Sequence, residues 1–389
     1  MKRKLTILSV ILMLLLASCV QIPAQETQVP AEPELLPTNT PMYLSPLYKT
    51  YMFVGGGGWA SNLEQNKLYY TRNFGEHWLN VTPDGFDSAD NAGSVFFAFP
   101  NSSLGWICQS KIESPGLLYA TNDSGMTWMT QQLDFPCGNM AFVNAQEGMI
   151  VADMGVGAGS QYVSIHTTKD SGVTWTEVFI HDPASSDDHG LPSSGIKSSF
   201  ALLDSDTALI GGSRPMAGSL YLFRTVDGGS SWNQVACDGL PDAESSELDP
   251  MDIIRINATD VIVPVRGYLE NGQMGTHFCV STDAGASFRY QSTLENVDFS
   301  DFGSLTTGLA YGQGKMMQTS DGGLTWKDVT AMLPIGLTPI SLSMINDNVG
   351  FLTTTLSPET LQQNRIFMTA NNGSDWQSIP GNIVEPTSN

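Results

Sequence analysis

The chain has 389 residues, with 39 acidic against 17 basic side chains and a formal net charge of −22. That balance disfavours nucleic acid or an anionic membrane face as partner, and leaves cationic ligands, divalent ions and neutral sugars open. Charged residues make up only 14%, while 38 glycines and 21 prolines point to many short strands joined by turns.

Residues 1–19 have the layout of an export signal: Lys2, Arg3 and Lys4, then the apolar run Leu5 to Leu16, then Ala17, Ser18 and Cys19. The apolar run is short for a membrane span. Leu16-Ala17-Ser18-Cys19 resembles a bacterial lipobox, which implies removal of the signal and lipidation of Cys19. Residues 20–41 form a polar stretch with Pro23, Pro30, Pro33, Pro37 and Pro41. Such a composition buries too little apolar surface to offset its ordering entropy, so a flexible tether is expected.

Residues 42–389 are expected to form one domain, because one pattern recurs along them: Ser/Thr-x-Asp-x-Gly-x-Ser/Thr-Trp. Clean copies place Asp123 with Trp128, Asp170 with Trp175, Asp227 with Trp232 and Asp321 with Trp326, and Asp283 has Phe288 in the aromatic place. Weaker copies close the array, with Asn73 before Trp78 and Asn371 before Trp376, as terminal repeats often do. The acid or amide can bond backbone N–H groups two residues on, and the glycine supplies a positive φ. Six of the eight tryptophans hold the last position, which assigns them to packing behind a hairpin turn.

The motif resembles the Asp-box, or bacterial neuraminidase repeat, of β-propeller blades. In that family the box joins the third and outermost strands and lies away from the ligand face, so these residues are read as structural and none as catalytic. Box-to-box spacings of 50, 47, 57, 56, 38 and 50 residues suit four-stranded blades with variable loops. The expected fold is all-β, a seven-bladed β-propeller of four-stranded antiparallel blades behind a lipoprotein signal and tether. Blade one has little room for a first strand before Tyr51, and either Met42 to Tyr48 or Asn382 to Glu385 is the candidate. The chain is also similar to the photosystem II stability/assembly factor family, exported seven-bladed propellers with an apolar-Phe-x-Asp/Asn element before a Gly-Trp strand. Phe99 to Trp106, Phe142 to Gly148 and Met344 to Phe351 carry that likeness, but the arginine-rich patch tied to client binding in that family is missing.

Cys108, Cys137, Cys237 and Cys279 allow three pairings in an exported protein. Pairing sequence neighbours, Cys108 with Cys137 and Cys237 with Cys279, closes the shortest loops; free buried thiols are the other reading. No CxxC pair suggests zinc.

On the face opposite the boxes, the longest loops carry candidate ligand residues: Asp187 and Asp188, Arg214, Asp242 and Glu244, Arg266 and Tyr268. Trp59, after four glycines, joins them as a ring that could stack on sugar together with Tyr268. The acidic loops have no EF-hand spacing. A sialidase would need an arginine cluster, yet only eight arginines are present, and no motif singles out a carboxylate pair of the xyloglucanase kind. These features predict an extracytoplasmic, lipid-anchored cell-surface protein that presents a non-catalytic scaffold to a protein or glycan. It is expected to be monomeric, without cofactor, metal or nucleic acid, and in contact with the bacterial cell membrane only through its lipid. The alternative is an exported glycoside hydrolase using loop-face carboxylates, and a calcium-binding surface protein is a third reading.

Overall fold

A computed structural model describes residues 47, 49–62, 66–87, 94–111, 114–181, 189–214, 218, 220–241, 247–334, 336–355 and 365–384. The signal, Cys19 and the tether lie outside these residues, as do Asp187, Asp188, Asp242 and Glu244.

Seven sheets follow one another along the chain, each stepping outward from its first strand. In blade two the order is Ser94–Ala98, Gly105–Ser110, Leu117–Thr121 and Met129–Gln132, with every neighbour antiparallel. The repeated turns all join third to fourth strands. Among the described residues there is no α-helix, only a short 3-10 turn at Thr330–Met332. None of the described helices is long and apolar enough to cross a membrane. The architecture is therefore a seven-bladed β-propeller.

Seven apolar clusters of buried side chains account for its cohesion, and each lies in the seam between two neighbouring blades. Successive strand residues point to opposite sheet faces, so the middle strands of a blade feed both of its seams and are largely buried. Gly58–Asn62 and Gly350–Thr355 have no exposed residue. One cluster unites Met52, Tyr69 and Trp78 of blade one with Phe351 and Ile366 of blade seven, so the ring is closed.

Closure departs from both sequence candidates. The first strand of blade one is Lys49–Met52, in contact with Thr338–Met344 of blade seven. The tail strand Asn382–Val384 instead lies outside His77–Asn80 and pairs with it in parallel, making blade one five-stranded. Blade five gains an outer parallel strand in the same manner, Cys237–Asp238 against Phe288–Glu295. Its first strand is broken into Asp249–Pro250 and Ile254–Arg255. Pro250 has no N–H to donate, which confines it to such an edge.

Disulfides join Cys108 to Cys137 and Cys237 to Cys279, across 29 and 42 residues of chain. The first ties the start of blade three to blade two, and the second ties the added outer strand to Met274–Ser281. Loops of this length are worth roughly 3–4 kcal/mol each in the chain-entropy account.

Candidate functional site in the central channel

The repeated acids are engaged within their own turns. The Thr121 hydroxyl donates to Asp123 at 2.8 Å and accepts the Gly125 N–H at 3.0 Å. Asp123 accepts the Thr127 N–H at 2.9 Å on one oxygen and the Thr127 hydroxyl at 2.6 Å on the other. Ser124 and Gly125 follow at φ 65° and 81°, the paired left-handed residues of a hairpin turn. A Cβ on Gly125 would stand 2.8 Å from Val81 of the preceding blade, so glycine is required on both counts.

The same bonds recur at Asp170, Asp227, Asp283 and Asp321. Asn73 and Asn371 accept the hydroxyls of Thr71 and Thr369 and the backbone N–H groups of His77 and Asp375, but lack the further hydroxyl bond made by the clean copies. Each turn also donates an N–H to the loop between the first two strands of its blade, as Ser124 does to Ser103 and Asn372 to Asn348. The aromatics behind the turns divide: Trp78, Trp232 and Phe288 are fully buried, whereas Trp128, Trp175, Trp326 and Trp376 are half-buried. Trp128 and Trp326 reach the preceding blade, donating to the Val81 carbonyl and the Ser292 hydroxyl.

These bonds set an acid limit. The hydroxyls of Thr127, Thr174 and Thr325, with their N–H groups, hold Asp123, Asp170 and Asp321 below the usual carboxylate range. At Asp283 desolvation pulls upward but is outweighed by the Ser287 hydroxyl and N–H, and the carboxyl falls to about 2. A carboxyl lowered on folding adds stability above its unfolded value, and that contribution is lost as pH falls through the folded value. Two other groups act between these limits with opposite signs. Desolvation lowers His166 to about 4, which costs stability as pH falls from 6.5, while burial raises Asp301 to about 6, which restores some over nearly the same span. Below pH 3.8 the turns dominate. Urea midpoints read by tryptophan fluorescence are expected to fall steeply from pH 4 to 2.5; a flat profile there would remove the turns from the stability of the ring.

The first strands of the blades converge on an axial channel that holds two adjoining cavities. One, of about 400 Å³, lies between blades four, five and six and is walled by Ser213, Asp249, Asp252, Arg266, Asp298 and Phe299 among others. The second, of about 540 Å³, is walled by Lys49, Tyr51, Phe96, Phe97, Asn139 and Phe200. Ser198, Ser199 and Asp252 belong to both.

Charges in the channel are mixed. Asp249 stands beside Arg266 in the register of blade five; burial and then Glu247 raise its carboxyl, against the pull of the guanidinium. The Lys49 ammonium sits 5.4 Å from the Tyr51 ring centre, and Tyr51 is the main influence raising its pKa, with Asp252 and Asp301 adding to it. Asp301 accepts the N–H groups of Met344 and Phe302 at 2.7 and 2.9 Å, tying blade six to blade seven.

Of the ligand residues suggested by sequence, Arg266 lies in the channel wall. Arg214 is half-buried directly after the wall residue Ser213, and Tyr268 projects at the far end of the same strand as Arg266, 55% exposed. Trp59 is a correction. It is wholly buried, stacked on Phe99 of blade two at 4.8 Å, with its indole N–H donating to the Asn101 carbonyl. It shares no surface with Tyr268 and belongs to the seam between blades one and two. His181 is a backbone clamp that accepts the Val163 N–H and meets the Leu191 carbonyl at 2.7 Å. Among the described residues no group of three His, Cys, Asp or Glu could hold a metal ion. Lys49, Tyr51, Asp252 and Asp301 were not singled out by motif; the available signal was a charged or polar group within a strand next to the axis.

Fold and channel together define a seven-bladed propeller of four-stranded blades with an axial, polar and aromatic cavity. Among solved structures, the chain is similar to YCF48 bound to a D1 peptide, with a TM-score of 0.54 at 15% identity over 86% of this chain and 96% of that one. YCF48 from Cyanidioschyzon merolae gives a TM-score of 0.55 at 16% identity over 86% and 97%. At such identities the likeness is one of fold. No protein-family model matches the sequence, and no curated protein matches it.

Proposed function

We propose that the chain is a cell-surface lipoprotein, held through Cys19 in the bacterial cell membrane, whose Asp-box propeller is a non-catalytic scaffold binding a protein or glycan. The observation that carries this reading is the division of labour among its polar groups. The repeated acids are closed within turns, while Lys49, Asp249, Asp252, Arg266 and Asp298, which belong to no repeat, line the channel together with aromatic rings. Rings of this fold do bind other chains, as YCF48 with its D1 peptide illustrates. A glycoside hydrolase reading draws on Asp301, whose carboxyl stands near 6. Both of its oxygens already accept backbone N–H groups that join two blades, which favours a structural part. The test is incubation of the full-length chain with polysaccharides and peptides: a retained ligand without cleavage products is expected, and turnover would overturn the non-catalytic reading.

A further inference from the structure

The geometry points to a neutral oligosaccharide as the occupant of the channel, an inference that rests on the scaffold reading and narrows it to one ligand class. A sugar presents hydroxyls that both donate and accept, together with C–H faces that pack on aromatic rings. Its site therefore needs carboxylate acceptors, fixed donors and an aromatic wall within a cavity of a few hundred Å³.

The channel supplies each. Asp249, Asp252 and Asp298 offer acceptors in the smaller cavity, and Arg266 offers donors. The guanidinium gives one Nη to the Val297 carbonyl at 3.4 Å and its contact with the Met251 sulfur uses the same nitrogen. Its Nε and other Nη have no hydrogen-bond partner among the described residues. Ser199 lines both cavities, is 5% exposed, and its hydroxyl also has no partner among the described residues. Next to this polar end, Tyr51, Phe96, Phe97 and Phe200 wall the larger cavity. Cavities of about 400 and 540 Å³ that share Asp252 give room for two or three sugar units. Asp249, Asp252 and Asp298 outnumber Arg266 and Lys49 in the two walls, which suits an uncharged polyol better than an anionic chain, and the −22 charge of the protein opposes the latter as well.

The experiment is titration calorimetry of the full-length chain with cellotriose, maltotriose, xylotriose and chitotriose. At least one of them is expected to bind, and to bind at least tenfold more weakly to both Arg266→Met and Asp252→Asn. Leu324→Ala, on an exposed turn residue, is expected to bind as wild type. Thermal midpoints of the variants within a few degrees of wild type establish that the loss is local, and Phe200→Leu provides a second, apolar test of the same wall. Absence of binding by all four sugars overturns the inference, as does affinity unchanged in Arg266→Met and Asp252→Asn. A peptide bound while all four sugars fail would refute the sugar and leave the scaffold standing. Binding followed by cleavage would keep the sugar and remove the non-catalytic reading.

Discussion

Replacing Trp59 with Ala is expected to lower the stability of the propeller by about 3–5 kcal/mol. The indole is completely buried, with Tyr70 and Phe99 within 5.2 and 4.8 Å and Trp128 of blade two at 6.3 Å. Truncation opens a cavity in the seam between blades one and two and strands the Asn101 carbonyl, which loses the indole N–H. A propeller is only as closed as each seam, so the loss should appear in the global unfolding of the ring. Urea or thermal denaturation reads it directly. A surface ring that stacks on ligand would behave differently, with a stability change within about 0.5 kcal/mol and a loss of binding instead.

Lys197→Met is expected to cost roughly 3 kcal/mol, for the reason that buried acceptors left without donors are expensive. The Lys197 ammonium is buried and donates to the carbonyls of Gln161, Ser193 and Gly195 at 2.7, 3.1 and 3.3 Å. It also lies 5.7 Å from the centre of the Tyr221 ring, whose hydroxyl holds the Pro192 carbonyl. These bonds clamp the end of the connection from blade three to blade four against Ser160–Thr168. Methionine keeps the apolar stem and removes the ammonium, so all three carbonyls lose its bond at little change in volume, and only that of Ser193 keeps another donor, the Gln161 N–H, among the bonds described. Denaturation measures the cost, and faster hydrogen exchange at Gln161 and Gly195, whose N–H groups bond Ser193 and Gly159, locates it. A change below about 0.5 kcal/mol with exchange unaltered would show that the clamp is not structural.

How much of this could be read beforehand follows from which interactions are local. A turn closes on itself within eight residues, so Thr121 to Trp128 states its own hydrogen bonds, and seven such segments state the number of blades. The disulfides also join neighbours in sequence, and the shortest-loop pairing is the one formed. Trp59 misled because its partners Phe99 and Asn101 come from the next blade, about forty residues on, while its own neighbours are glycines that read as an open loop. Ring closure was equally non-local: only the pairing of Asn382–Val384 with His77–Asn80 shows that the tail adds a strand outside the blade.

The channel was the least legible part. Lys49 and Asp252 of the cavity walls, and Asp301, whose charge acts on Lys49, stand on three different blades, in first strands of two to four residues or the break between them, with no spacing that links them. Phe299-Ser300-Asp301-Phe302 does contain a hint, since a carboxylate in an apolar strand beside the axis must find donors, and Asp301 finds them in Met344 and in Phe302. Arg266, a loop residue in the sequence pattern, is a wall residue of the channel, because the strand Val261–Tyr268 runs eight residues and includes it.

Product analysis bears most directly on whether this ring binds without reacting. The full-length chain, incubated with neutral polysaccharides and oligosaccharides, is expected to release no new reducing ends, in the wild type and in Asp301→Asn alike. New reducing ends from the wild type, lost in Asp301→Asn or Asp252→Asn at an unchanged thermal midpoint, would contradict it.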